Sequence, residues 1–156
     1  MTHGRRVPHL RPRLPAGCGV DTRIEVRETG TDRGRGAFAT QPICCGEWLG
    51  VYRGEHIDAA ELQRRYGDGL APYALCVGAS FIDAGAAGCR GDWTAMVNDA
   101  RGTGRPVNVE FRGRGAVYAV AAIAVGEELL VDYGADYWLG SPIANLPLLH
   151  PRMTDG

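Results

Sequence analysis

Five positions recur at one spacing in two places. Ala39, Ile43, Gly46, Glu47 and Leu49 stand at the same intervals as Ala119, Ile123, Gly126, Glu127 and Leu129, 80 residues further on. A tyrosine follows each set, Tyr52 or Tyr133. In both copies a glycine suited to an unusual turn conformation lies among short apolar runs of strand length. Solenoids repeat every ~20–50 residues over three or more copies. Two distant copies predict instead two similar strand-turn-strand units that face each other in one domain. The two tyrosines would then line one site. The second copy closes on residues 126–133, where Tyr133 ends the apolar run 129–131. A core tyrosine with its hydroxyl satisfied is the alternative reading of that position.

The whole chain of 156 residues is long enough for one domain with tails and too short for two ordinary ones. A net charge of -1 argues against bulk electrostatic binding of nucleic acid. All 17 basic residues are arginine, so the chain carries no lysine side chain of its own to be modified. Cysteines at 18, 44, 45, 76 and 89 form no Cys-x-x-Cys pair and no cluster with histidine, which argues against zinc or another structural metal. Their odd number, without a signal peptide, points to reduced thiols in an intracellular compartment, cytoplasmic or nuclear, and not to secretion. No apolar stretch approaches the ~18 residues that span a bilayer.

Residues 1–20 hold four arginines, prolines at 8, 12 and 15 and no acid, and read as a disordered arm. A transit peptide fits less well, since serine is absent, and contact with an acidic partner stays open. Residues 23–26 predict a strand and 29–36 a polar loop. In that loop Gly34 and Gly36 flank Arg35 and would let backbone approach a ligand, although a plain hairpin loop is equally compatible. A dinucleotide fingerprint fails for want of the third glycine and the following helix. Residues 48–52 predict a strand, and 57–66 a helix with Asp58 near its start and 67–72 as its stop. A hairpin about Gly78 joins 73–77 to 80–83. Trp93, Met96 and Val97 suggest a helical turn, after which Asn98 and Asp99 lead into the loop 100–106, Asn98 reading as an ordinary turn residue. Strands at 107–111, 116–122 and 129–132 close the core, with a turn at 112–115. Short strands at intervals of about ten residues with one helix predict an all-β or α+β domain.

Taken together these pieces resemble the SET domain of protein-lysine methyltransferases. Gly34-Arg35-Gly36-Ala37-Phe38-Ala39-Thr40 resembles the family's opening Gly-x-Gly motif, and Gly46-Glu47 through Tyr52-Arg53-Gly54-Glu55 the strand pair after it. Phe81-Ile82-Asp83-Ala84 is similar to its Ile-Asp-Ala element, and residues 91–98 to the segment that usually ends Arg-Phe-Ile-Asn-His. Residues 126–134 with Tyr137-Trp138 resemble the closing Gly-Glu-Glu-Leu…Asp-Tyr-Gly motif. The resemblance covers residues 21–140, leaving the arm 1–20 and a Pro-containing tail 141–156. It implies a mostly β (α+β) fold: a β-clip of small sheets with one or two short helices and a C-terminal pseudoknot, an exception to the rule against threaded loops.

The same resemblance implies an S-adenosylmethionine-dependent protein-lysine N-methyltransferase. Its partner would be a protein with an accessible lysine, a histone tail or another chain. Tyr133 and Tyr52 would be the catalytic residues, with Phe111 and Val131 along the lysine channel. Gly34, Arg35, Gly36, Tyr73, Asn98, Asp99 and Trp138 would bind the cofactor. Several positions depart from the pattern. Asp99 replaces the usual histidine, Ala95 replaces the usual arginine, a following cysteine is missing, and no cysteine-rich zinc segments flank the domain. Charges of the 101–105 loop are expected to keep Asp99 ionised beside the cationic cofactor. These departures also motivate the rival reading, a degenerate module that binds a lysine-bearing tail or partner without turnover.

Overall fold

In the computed structural model the residues described are 23–68, 71–85, 89 and 91–134, with the backbone of 142–143 and 146–147. The arm 1–20, Trp138 and most of the tail 141–156 lie outside them. In chain order the strands are β1 (Ile24–Glu28), β2 (Arg35–Ala39), β3 (Trp48–Val51), β4 (Glu55–Ile57), β5 (Ala74–Val77) and β6 (Ser80–Asp83). They continue with β7 (Asn98–Asp99), β8 (Val109–Arg112), β9 (Ala116–Ala119), β10 (Leu130–Val131), β11 (Pro142–Ile143) and β12 (Leu146–Pro147). One α-helix, α1 (Ala59–Tyr66), follows β4, and a 3-10 helix, Trp93–Met96, precedes β7. The sheets are small: β1-β2, β3-β9-β8, β4-β6-β5, a parallel β10-β7 pair and the hairpin β11-β12. No helix among the described residues is long and apolar enough to cross a membrane.

The two spaced sets do face each other, about a local two-fold. Ile43 and Ile123 exchange both backbone hydrogen bonds at 2.9 Å. On one side Gly126 N donates to Ala39 O and Ala39 N to Glu127 O; on the other Gly46 N donates to Ala119 O and Ala119 N to Glu47 O. Each partner in the second pair is the counterpart of one in the first, 80 positions away. The turns match in detail, with Glu47 Oε2 accepting from Cys44 N at 2.8 Å and Glu127 Oε2 from Ala124 N at 2.7 Å. Gly46 and Gly126 adopt φ of 88° and 83°, the left-handed conformation that a side chain resists. Ile43, Ile123, Leu49, Leu129, Ala39 and Ala119 all enter one buried cluster, so the paired units form the centre of the core.

Local chemistry shifts several expected boundaries. Ile57 closes β4 and does not open the helix, because Asp58 takes the N-cap: its side chain accepts from Glu61 N at 2.8 Å. Gly67 caps the other end with φ 55°. Helix α1 buries Leu62 in a second, smaller cluster with Ile57, Ala71, Ala74 and Phe81. Asn98 and Asp99, expected to lead into a loop, form β7 and pair in parallel with Leu130 and Val131. Arg35 and Gly36, expected in a loop, belong to β2. Residues 107 and 108 precede β8, where Asn108 holds β10 instead: it donates to Glu128 O and Leu130 O and accepts from Leu130 N. Residues 128–131 are thus gripped on one side by Asn108 and on the other by β7.

The two-fold predicts equal sensitivity at its glycines. An added Cβ meets nothing within 4 Å at Gly46 or Gly126, so only backbone strain acts. Gly46→Ala and Gly126→Ala should each destabilise the fold by about 1–2 kcal/mol, read from urea midpoints. A large cost at one glycine with none at the other would contradict the equivalence.

Candidate active site

Residues 126–131 carry two consecutive glutamates into an apolar strand, and one of them must face inward. That residue is Glu128, with 1% of its surface exposed. A buried carboxylate needs partners. Arg33 meets it through two parallel hydrogen bonds of 2.9 Å, Arg105 through one of 2.8 Å, and Asn98 Nδ2 through one of 2.9 Å. Burial pushes the Glu128 carboxyl upward, but the hydrogen bonds from Arg33, Asn98 and Arg105 outweigh it and hold the group below the ordinary glutamate range. Gly36 makes the room, since a Cβ there would lie 2.6 Å from Glu128 Oε1 and 3.1 Å from Asn98 Nδ2. Its missing side chain therefore serves this cluster directly.

Asn98 is the side chain that the cluster presents. Its Nδ2 spends both hydrogens, one on Glu128 Oε1 and one on Arg35 O at 3.0 Å. The amide is thereby fixed with Oδ1 as an acceptor, and no hydrogen bond among the described residues uses that atom. Asn98 borders a cavity of about 670 Å³ with Asp32, Arg33, Asp99, Thr103 and Tyr133 among the other lining residues. That volume is ordinary for a small-molecule site, about 300–1,000 Å³. A second cavity of about 470 Å³ shares Asp99, Arg101 and Arg105 with it and continues to Val107, Val131 and Gly134. Among the described residues no group of three or more His, Cys, Asp or Glu could hold a metal ion.

Tyr133 is held by the strand beside it. Its hydroxyl donates to Val97 O at 2.9 Å, and its backbone N–H donates to Asp99 Oδ2 at 2.6 Å. Tyr52 approaches from the other copy of the repeat. It is buried, it meets Phe111 edge-on with ring centroids 5.6 Å apart, and its hydroxyl donates to Tyr73 O at 2.9 Å. Burial first, then Tyr133, Asp83, Tyr73 and Asp92, push the Tyr52 phenol far above its ordinary range, so it stays protonated. Tyr73 O is itself fixed by Ala84 N at 2.8 Å, next to Asp83, which is buried and accepts from Tyr66, Arg65 and Gly85 N.

The structure thus brings Asn98, Asp99 and Tyr133 to one cavity and sets Tyr52 and Phe111 beside each other. Arg35 contributes its carbonyl, already engaged by Asn98. Gly34 closes the 29–34 loop, donating to Thr31 O at 3.2 Å with φ 73°. Two placements differ from expectation. Tyr73, expected with the cofactor residues, supports Tyr52 through its carbonyl and is not among the residues lining the Asn98 cavity. Val131, expected on the lysine channel, borders the second cavity with Asp99 and Val107. The charges of the 101–105 loop are arranged differently too: Arg105 reaches Glu128, while Asp99 is met by the backbone N–H groups of Arg101 and Tyr133. Sequence reasoning missed Glu128, Arg33 and Arg105. The available signal was an acidic residue next to a fully buried leucine, which requires a counter-charge.

A model of the SET domain family matches residues 34–134. The chain belongs to the SET domain family. Solved structures agree on the fold. An active polycomb repressive complex 2 in its stimulated state superposes with a TM-score of 0.64 at 21% identity, over 83% of this chain and 17% of that one. The Chaetomium thermophilum polycomb repressive complex 2 matches with a TM-score of 0.59 at 25% identity, over 72% and 15%. The ctPRC2 structure in an autoinhibited conformation bound to S-adenosylmethionine matches with 0.59 at 24%, over 71% and 15%. This chain therefore spans about a sixth of the length of the solved chains it resembles. No curated protein sequence matches it.

Glu128→Gln should destabilise the fold by about 3 kcal/mol at neutral pH, the low end for breaking a buried pair because Arg105 is half exposed. The Glu128 pKa is lowered in the folded state. Its contribution is therefore present above the unfolded value of about 4.3 and lost as pH falls through the folded value. Urea unfolding should show a constant gap between wild type and variant from about pH 7 to 5 that narrows below about pH 4. A gap unchanged at the acid end would contradict the ionised cluster.

Proposed function

We propose that this chain is an S-adenosylmethionine-dependent protein-lysine N-methyltransferase. The observation that carries the reading is the meeting of Asn98 and Tyr133, 35 positions apart, at one cavity of about 670 Å³. A solved relative is bound to S-adenosylmethionine, which supports the choice of ligand. The residues present fit that molecule. Asn98 offers a fixed acceptor for an ammonium group, Val107 and Val131 of the second cavity suit an aromatic base, and the arginines of both suit a carboxylate. Gly34, Arg35, Gly36, Asn98 and Asp99 would enclose it, with Trp138 as a further candidate. When bound, S-adenosylmethionine supplies a methyl group on a cationic sulfur, to be taken up by a neutral amine.

The chain's own part is to align, desolvate and orient. Tyr52 and Phe111 form an aromatic wall suited to the methylene stem of a lysine. Burial in such a channel disfavours the ammonium form and so favours the neutral nucleophile. Tyr133, its proton committed to Val97 O, presents oxygen lone pairs that can accept an N–H of the amine and aim its own lone pair. The grip on residues 128–131 from Asn108 and from β7 supports the threaded C-terminal arrangement implied for this family. The substrate would be another protein with an accessible lysine, a histone tail among the candidates, in the cytoplasm or nucleus.

Incubation with methyl-labelled cofactor and a protein lysate should label lysines of other proteins and no side chain of this chain, which has no lysine. Tyr133→Phe should lower turnover about a hundredfold or more while cofactor affinity stays within about twofold, because an orienting hydroxyl acts mainly in the transition state. Equal turnover in variant and wild type would remove Tyr133 from the mechanism. Cofactor binding with no labelling of any protein would favour the module that binds without turnover.

A further inference from the structure

We infer that Asp99 is a positioning residue for Tyr133, doing through a carboxylate what a histidine at this place could do only in part. The inference rests on the role proposed for Tyr133 above. Asp99 is buried to 6% exposure and its two oxygens have separate work. Oδ1 accepts from Arg101 N and Oδ2 from Tyr133 N, both at 2.6 Å. The parallel β7-β10 ladder has only two residues a side, Asn98 with Leu130 and Asp99 with Val131, and one more rung from Ala100 N to Val131 O. Beyond Val131 the Asp99 side chain takes over as acceptor for the backbone. Tyr133 is then held at both ends by two residues: its N–H by Asp99 and its hydroxyl by Val97 O. The same carboxylate fixes Arg101 N, at the start of the 100–105 loop that lines the cavity.

The donor and acceptor inventory makes this arrangement specific to a carboxylate. Two backbone N–H groups can point at one ionised carboxylate, which is acceptor only. A neutral imidazole has one acceptor nitrogen and an imidazolium none, so a histidine here leaves at least one of the two N–H groups unmet. Asparagine keeps the shape but sets an NH₂ group against one of them. Hydrogen bonds to a charged group are stronger than those between neutral groups, so either replacement should loosen the Asp99 junction that holds Tyr133 and Arg101.

The test places Asp99→Asn and Asp99→His in the wild type and in Tyr133→Phe. In the wild-type background each should lower kcat by about tenfold or more, which corresponds to 1.4 kcal/mol, with KM for S-adenosylmethionine changed less than about threefold. In Tyr133→Phe the same substitutions should lower kcat further by less than about twofold, because the group they position is gone. Equal losses in both backgrounds would overturn the inference. A second readout needs no turnover: amide hydrogen exchange should speed up at Tyr133 by about tenfold or more in Asp99→Ala, which removes both acceptor oxygens, while Leu129 N, bonded to Ala37 O, stays protected. If the wild type transfers no methyl group, the functional reading fails and the exchange measurement still decides the strut. Unchanged exchange at Tyr133 would overturn it.

Discussion

A single buried carboxylate holds the site together. Glu128 lies just before β10, and two stretches far from it in sequence converge on it: Arg33 from the first loop, and Asn98 of β7 with Arg105 of the loop that follows. Isolated, that charge would be costly in the interior; with four hydrogen bonds it becomes the point from which the cavity's geometry is set. The Asn98 amide has one orientation because Glu128 and the Arg35 carbonyl take both of its hydrogens. Gly36 has no side chain because the carboxylate occupies the space where one would be. Arg33 and Arg105 both line the cavity and both bond Glu128, so the width of the cavity between their loops depends on this contact.

A second buried acid plays a similar part near Tyr52. Asp83 joins Tyr66 and Arg65 of α1 to the end of β6, and the neighbouring Ala84 N fixes the Tyr73 carbonyl that receives the Tyr52 hydroxyl. The helix is thus linked by hydrogen bonds to the aromatic wall. Between these two hubs the repeated units supply rigidity. Their reciprocal pairing through Ile43 and Ile123 holds the two copies together, and Tyr133 lies near enough to Tyr52 to add to the upward shift of its phenol.

Much of this was legible in the sequence for a physical reason. The spacing of Ala39, Ile43, Gly46, Glu47 and Leu49 against their counterparts encodes turn geometry and burial together, so the facing pair could be read before any coordinates. The hairpin about Gly78 and the existence of α1 were equally local. Ile57 was misread because an apolar residue just before a cap fits a strand end as well as a helix start, and only the Asp58 side chain decides. Asn98 and Asp99 looked like turn residues because a two-residue parallel pairing leaves no periodic trace. The charge partners of Glu128 were beyond reach, since nothing in spacing tells which of 17 arginines returns over 95 or 23 positions to one carboxylate. Asp99 was expected beside a ligand, and that its oxygens also take the backbone N–H groups of Arg101 and, at long range, Tyr133 leaves no trace in spacing.

The central claim is that the Glu128 cluster presents Asn98 to a cofactor beside Tyr133. Calorimetric titration of S-adenosylmethionine into the wild type and into Asn98→Ala tests it most directly. The account predicts saturable binding of one molecule per chain by the wild type and an affinity weaker by about tenfold or more in the variant, the loss expected for one hydrogen bond to a charged group. Absence of binding to the wild type, or equal affinity in both proteins, would contradict it.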